Sequence, residues 1–174
     1  MKIFLIGFPG SGKTYLGKET ALLLKVPFFD TDGMIEIDTG ESIVSLFKTK
    51  GEDLFRKKEA KTLREFSKKR NSVIAVGGGL PCFHENMKWM NENGLTVYLE
   101  ASAAFLFHRL MKEKKTRPLI AQLSDIELMI YITETLSTRK IFYEQSQLTV
   151  QAENYSPVKL FAAVQKKLKQ AQSR

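Results

Sequence analysis

The chain has 174 residues, 27 of them Lys or Arg and 19 Asp or Glu, a formal net charge of +8, with 43% hydrophobic and 26% charged residues. That length suits one domain with a sizeable buried core, and the composition excludes a disordered, collagenous or coiled-coil chain. No apolar stretch approaches the roughly 18 residues that span a bilayer, and the lone Cys82 excludes an intramolecular disulfide, so the expected setting is a reducing cytoplasm.

In chain order, Ile3-Phe4-Leu5-Ile6 predicts a buried strand, too short for a signal-peptide core. A helix is expected from about residue 13 to 25, with Leu16, Leu23 and Leu24 inward. Val26-Pro27-Phe28-Phe29 predicts a second strand. Helical patterns follow over 33–50 and 52–69, the latter with Phe55, Leu63 and Phe66 near one face and basic residues elsewhere. Val73-Ile74-Ala75-Val76 predicts a third strand, ended by three glycines. Residues 83–92 read as helical through Phe83, Met87 and Met90, with Trp89 partly buried. Thr96-Val97-Tyr98-Leu99 predicts a fourth strand, and Ser102 an N-cap for a helix to about 113. The charged stretch 112–123, with Pro118, reads as a surface loop. Ser124-Asp125-Ile126-Glu127 has capping-box spacing and opens a long helix to about 145. Leu148-Thr149-Val150 predicts the last strand. Pro157 fits the first turn of a final helix with Leu160, Phe161, Val164 and Leu168 inward.

Strand and helix alternate five times, which predicts an α/β fold: three α/β/α layers around a five-stranded parallel sheet. No linker or repeat interrupts residues 1–174, so a single domain is expected. Segments 33–70 and 112–123 exceed the minimal βα rhythm, and they fall where such sheets bind ligands, beyond the carboxyl ends of strands.

Gly7-Phe8-Pro9-Gly10-Ser11-Gly12-Lys13-Thr14 matches GxxxxGK[ST] between a predicted strand and a predicted helix. Backbone N–H groups and the helix N-terminus suit a phosphate. Lys13 can reach the β- and γ-phosphates and the Thr14 hydroxyl can ligate Mg2+. The motif predicts ATP with Mg2+ and leaves the acceptor open. Asp30-Thr31-Asp32 places two carboxylates past the second strand, suited to a Mg2+-bound water and an acceptor hydroxyl. The chain lacks the Asn-Lys-x-Asp that reads guanine. Gly77-Gly78-Gly79 makes sense where a ligand must approach the backbone. Arg56 and Arg139 can fork onto a carboxylate.

Taken together, the phosphate loop, Phe29-Asp30-Thr31-Asp32 with Ile35-Glu36, Gly51-Glu52 with Phe55-Arg56 and Glu59, Gly77-Gly78-Gly79, Arg117-Pro118-Leu119, and Arg139 with Tyr143 resemble the shikimate kinase family over nearly the whole chain. The resemblance implies a P-loop fold of the nucleoside-monophosphate-kinase kind with a mobile lid over about 110–123 and a substrate-binding segment over 33–70. It implies transfer of the ATP γ-phosphate to the 3-hydroxyl of shikimate. By the same resemblance, Asp32, Lys13 and Arg117 would be catalytic. Gly10, Ser11, Gly12, Lys13, Thr14, Tyr15, Arg109 and Arg117 would hold the nucleotide, and Thr14 with Asp30 (through water) the Mg2+. Asp32, Arg56, Gly77, Gly78, Gly79 and Arg139 would hold shikimate, against Phe47 and Phe55. Arg109 and the loop 151–156 would sandwich adenine. Tyr15 stands where the family commonly has a second Ser or Thr, leaving its backbone N–H for the α-phosphate.

The positive charge sits in three islands, over 48–70, 109–118 and 159–174. Most of these lysines read as solvated helix faces, so neither a nucleic-acid nor a membrane partner is expected, and the chain is expected to act as a monomer. Lys112, Lys114 and Lys115 make the lid segment unusually basic. Two rivals remain at this point: another small-molecule kinase, acting on gluconate or a nucleoside monophosphate, and a nucleotide-binding protein that docks on nucleic acid, which lacks any recognised nucleic-acid module.

Overall fold

The computed structural model describes residues 1–69, 71–114, 117 and 120–172. Strands β1 (Lys2–Ile6), β2 (Phe28–Asp30), β3 (Ser72–Ala75), β4 (Leu95–Glu100) and β5 (Leu148–Gln151) form one parallel sheet in the order β2-β3-β1-β4-β5. Around it lie α1 (Lys13–Leu24), α2 (Thr31–Thr39), α3 (Ile43–Glu65), α4 (Asn86–Asn93), α5 (Ala103–Glu113), α6 (Asp125–Tyr143) and α7 (Pro157–Gln172). The three-layer α/β/α expectation holds.

Successive residues of a strand point to opposite faces, and that alternation divides the core. Ile3, Leu5, Val73, Val97 and Leu99 face a cluster closed by α1, α5, the start of α6 and α7. Phe4, Ile6, Ile74, Val76 and Tyr98 face a second cluster, closed by Leu63 of α3, Met87 and Met90 of α4, and Tyr143 of α6. With both faces covered, the central strands are mainly apolar, as buried parallel sheets require, with Ser72 and Thr96 the buried polar exceptions. A third, smaller cluster of Ile35, Leu46 and Phe55 joins α2 to α3 beyond the sheet.

The strand register sets the site. β1 lies between β3 and β4, with Ile3 opposite Val73 and Leu95. The loop after β1 and the glycines after β3 therefore emerge side by side at the same edge. β2 pairs with β3, Asp30 opposite Ala75, and brings its own carboxyl end to that edge.

Several boundaries differ from the sequence expectation. The 33–50 helix is broken: α2 ends at Thr39 with Gly40 as its C-cap, and α3 opens at Ile43 with the Ser42 side chain accepting from Ser45 N. The expected gap near residue 51 is instead a kink inside α3, where Gly51 takes φ 80° and ψ 166°, a left-handed φ that a side chain would resist. Leu23 is exposed and only Leu16 and Leu24 turn inward from that trio. Phe83 precedes α4 and is exposed rather than lying on its apolar face. Of the expected lid, Lys115, Thr116, Pro118 and Leu119 lie outside the described residues. Among the described residues, no helix is long and apolar enough to cross a membrane.

The capping box at the start of α6 forms as read. Ser124 Oγ accepts from Glu127 N at 3.3 Å, and Glu127 Oε2 accepts from Ser124 N at 2.6 Å. Ser124→Ala removes one half of this exchange and is expected to lower the unfolding free energy by about 1 kcal/mol in chemical denaturation.

Candidate active site

The loop after β1 wraps toward α1 through Gly10 and Gly12, at φ 86° and 94°. Gly12 is the N-cap of α1 without a side-chain cap, which leaves the first N–H groups of the helix for a ligand. Lys13 Nζ crosses back and donates to the carbonyls of Gly7 at 2.8 Å and Phe8 at 3.0 Å. Burial lowers its pKa to about 8, with Arg117 and Arg139 acting the same way and Asp32 and Asp30 opposing. It still carries its charge at neutral pH. The loop forms one wall of a cavity of about 490 Å3, shared with Asp30, Asp32, Gly78, Arg109 and Arg117. Thr14 and Tyr15 open onto it as exposed side chains. Ser11 is buried within the loop, its hydroxyl without a hydrogen-bond partner among the described residues.

Asp30 and Asp32 do different work. Asp30 Oδ1 caps α2 by accepting from Asp32 N at 3.1 Å, while Oδ2 accepts from Thr14 Oγ1 at 2.9 Å. The cap fixes the carboxylate, and its second oxygen faces the phosphate loop with a hydroxyl beside it. Asp32 turns the other way: its Oδ1 is buried without a partner among the described residues. Burial, then the neighbouring Asp30 charge, pushes its pKa up to about 6 against the pull of Lys13 and Arg56. A half-buried carboxyl group that titrates near neutrality and lacks a donor is suited to take a hydrogen bond from a bound hydroxyl.

The glycine run lets charged groups crowd the β3 edge. A Cβ on Gly77 would lie 2.6 Å from Asp32 Oδ1 and 2.8 Å from Glu59 Oε1. On Gly79 it would lie 2.6 Å from Arg56 Nη1, and on Gly78 3.3 Å from Arg139 Nη1. Arg56 is buried and already partnered: Nη1 donates to Glu59 Oε2 and Nη2 to Glu52 Oε1, both at 2.8 Å. Phe83 lies under its guanidinium at 4.4 Å, with Phe55 and Phe47 at 5.4 and 5.5 Å. Burial raises the Glu59 pKa to about 7 despite the Arg56 hydrogen bond and charge. Arg139 lies 5.9 Å from the Phe8 ring centroid.

Arg117 and Arg109 close the cavity from α5 and the segment after it. Arg117 Nε and Nη2 both donate to Glu113 Oε2, at 2.8 and 2.5 Å. Arg109 stacks near Phe105 at 5.5 Å and lies beside Gly12, where a Cβ would meet its Nη1 at 3.4 Å. Pro9, Asp32 and Arg117 also border a neighbouring cavity of about 420 Å3, walled by Ile43, Val44 and Tyr131. Asp32 thus stands at a partition between two spaces. The loop 151–156 does not border the 490 Å3 cavity. Its Gln151 and Glu153 line a separate one of about 330 Å3, and Glu153 accepts from Ser102 N and Oγ at 2.9 and 2.6 Å.

Every residue expected at the site is among those described, and all but the adenine loop converge. Several neighbours carried no role in the sequence reading. Glu52 and Glu59 partner Arg56, at the i,i+4 and i,i+3 spacing that could have revealed them. Thr31 Oγ1 accepts from Gly77 N at 2.9 Å, and Tyr143 Oη donates to Gly78 O at 2.6 Å. No local signal marks those two long-range contacts.

Comparison with known proteins points one way. A model of the family described as shikimate kinase matches residues 9–169. A shikimate kinase of Phocaeicola vulgatus is 44% identical over 146 residues, covering 84% of this chain and 83% of that one. The structure of a shikimate kinase from Bacteroides thetaiotaomicron superposes with a TM-score of 0.89 at 39% identity, over 99% of this chain and 98% of the other. A shikimate kinase from Acinetobacter baumannii in complex with shikimate gives 0.83 at 31% identity, over 99% and 93%.

The electrostatics predict a stability cost at the site. The Asp32 pKa lies near 6 in the fold against an ordinary value of 3.8, so the folded chain holds this proton more tightly. Its charge costs stability in full above about pH 6, and the cost vanishes below about pH 4. Asp32→Asn is expected to stabilise the unliganded protein at pH 8 by about 1–3 kcal/mol. The gain should shrink toward zero at pH 4, read from denaturant unfolding at the two pH values.

Proposed function

The chain belongs to the shikimate kinase family and catalyses its reaction, the ATP-dependent phosphorylation of the 3-hydroxyl of shikimate, and we propose the roles that its own residues take in that transfer. The observation that carries the proposal is the position of Asp32. Its unpartnered carboxylate oxygen lies between the phosphate loop on one side and Gly77 with the Arg56–Glu59 pair on the other.

The loop N–H groups from Gly10 to Tyr15 bind the ATP phosphates, and Arg109, beside Gly12, covers the adenine. Lys13 exchanges the Gly7 and Phe8 carbonyls for the β- and γ-phosphate oxygens. Arg56 and Arg139 grip the shikimate carboxylate, Gly77, Gly78 and Gly79 let the ring approach the backbone, and Phe47 and Phe55 form its apolar wall. Asp32 accepts a hydrogen bond from the 3-hydroxyl, orients its oxygen toward the γ-phosphorus and takes the proton late in the transfer. Arg117 leaves Glu113 for the transferring phosphoryl group. The transfer needs chiefly positioning and charge neutralisation, which these groups supply. Closure of the segment 110–123 over the cavity excludes water from the γ-phosphate.

Thr14 Oγ1 and Asp30 Oδ2, 2.9 Å apart beside the phosphate loop, are hard oxygen donors of the kind Mg2+ selects. They fit a site in which Thr14 ligates directly and Asp30 through water. When bound, the ion neutralises charge on the β- and γ-phosphates. We further read residues 1–174 as one kinase domain, with 33–70 as the substrate-binding segment, acting as a monomer in the cytoplasm. The basic islands call for no polymeric partner: Lys57 pairs with Asp53, Lys58 with Asp38 and Lys114 with Asp125.

The central test is ATP turnover by the purified protein with and without shikimate, which should depend on shikimate and on Mg2+. Asp32→Asn is expected to lower kcat at least about tenfold, a loss of roughly 1.4 kcal/mol or more; an unchanged kcat would remove Asp32 from the mechanism. Arg139→Lys should raise KM for shikimate far more than KM for ATP, because a point charge replaces a bidentate fork.

A further inference from the structure

Arg56 spends three of its five N–H groups on carboxylates. Nε and Nη2 donate to Glu52 Oε1 at 3.1 and 2.8 Å, and Nη1 donates to Glu59 Oε2 at 2.8 Å. One N–H on each terminal nitrogen remains, and a Cβ on Gly79 would lie 2.6 and 2.9 Å from those two nitrogens. Hydrogen bonds at the rim hold the guanidinium in place but leave its plane free to tilt about the line that joins them. What lies against its face therefore decides where the remaining N–H groups point.

Phe83 lies against that face, with its ring centroid 4.4 Å from Arg56 Cζ, nearer than Phe55 or Phe47. Arg56 is only 8% exposed, and an aromatic face attracts a desolvated guanidinium more strongly than one in water, without using an N–H. Packing alone does not account for Phe83. It is 37% exposed and belongs to none of the three apolar clusters.

The backbone beside the ring is strained. His84 and Glu85, with φ of 50° and 52°, are consecutive left-handed residues that carry side chains. Arg64, about two turns beyond Arg56 on α3, holds this turn. Its Nη2 donates to the His84 carbonyl at 3.1 Å and its Nη1 to Asn86 Oδ1 at 2.9 Å, while Asn86 Nδ2 donates to the Leu80 carbonyl at 2.9 Å. One helix thus carries both the guanidinium and the strap that sets the ring against it. Strain of this kind persists only where the surroundings over-determine it, and here what it places is the ring.

We propose that Phe83 is a positioning residue for the acceptor: its ring, set by the strained turn that Arg64 pins, fixes the tilt of Arg56 and so the two N–H groups offered to the shikimate carboxylate. This rests on the reading that Arg56 binds that carboxylate. Phe83 acts on the acceptor through the guanidinium.

Phe83→Leu keeps apolar bulk and removes the aromatic face, whereas Phe83→Tyr keeps the face. Affinity for shikimate and for its methyl ester, which has the same ring and hydroxyls but no carboxylate, is measured by calorimetry in wild type, F83L and F83Y, together with kcat and KM for ATP. F83L is expected to weaken shikimate about fivefold, with ester affinity, kcat and KM for ATP within about twofold of wild type. F83Y should bind shikimate within about twofold of wild type. Equal weakening of acid and ester, no weakening of the acid, an equal loss in F83L and F83Y, or loss of cooperative melting in F83L overturns the assignment. The wild-type arm tests the underlying reading separately: if wild type does not prefer the acid to the ester, the carboxylate role of Arg56 fails and this inference fails with it.

Discussion

Four charged side chains meet around Gly77, Gly78 and Gly79, and the absence of a Cβ at all three positions is what permits it. The carboxylates of Asp32 and Glu59 approach Gly77 from α2 and α3, Arg56 approaches Gly79, and Arg139 reaches Gly78 from α6. A run of glycines costs backbone entropy, and here the surrounding hydrogen bonds offset it. Thr31 accepts from the Gly77 N–H and Tyr143 donates to the Gly78 carbonyl. Asn86 donates to the Leu80 carbonyl just beyond, and is itself held by Arg64. The most permissive stretch of sequence is therefore pinned along its length, and the rest of the site takes its spacing from it.

What could be read from sequence is what depends on short range. The apolar run Ile3 to Ile6 reads as a buried strand, and its alternate residues occupy the two faces of the sheet. The phosphate loop is eight consecutive residues whose function follows from their own backbone. The capping box at Ser124 is equally local. The break between α2 and α3 is hidden in the sequence because apolar residues continue on either side of it. Gly40 followed by Ser42, a C-cap glycine and an N-cap serine, was the available signal. The exposure of Leu23 is not legible because the apolar spacing of α1 does not say how far around the helix the core reaches. Partners of the site groups were not legible where chain distance is large, as for Thr31 with Gly77 and Tyr143 with Gly78.

The positive balance looks different once its members are placed. Two of the four site arginines are ion-paired before any ligand arrives, Arg56 with Glu52 and Glu59, Arg117 with Glu113. Three surface lysines find acids within a turn or on another helix, Lys57 with Asp53, Lys58 with Asp38 and Lys114 with Asp125. The unfavourable electrostatics fall on buried site groups of both signs: burial raises Asp32 and Glu59 toward neutrality and lowers Lys13. Such groups trade stability for reactivity, which is the common pattern at catalytic positions. Net charge alone is thus a poor guide to what this surface binds.

The position of β1 between β3 and β4 has a consequence for how the molecule comes into being. β1 is the first strand of the sequence, yet its two hydrogen-bonded neighbours begin at Ser72 and Leu95. During synthesis the apolar run Ile3 to Ile6 has no strand to pair with until β3 has emerged, and it waits with both edges open. The local helices can form early, whereas the central pairing is long-range and slow. The phosphate loop, though it follows β1 directly, acquires its walls only when that pairing closes. Nucleotide binding is therefore a late property of the nascent chain, and an emerging fragment short of β3 presents a sticky strand rather than a working half-site.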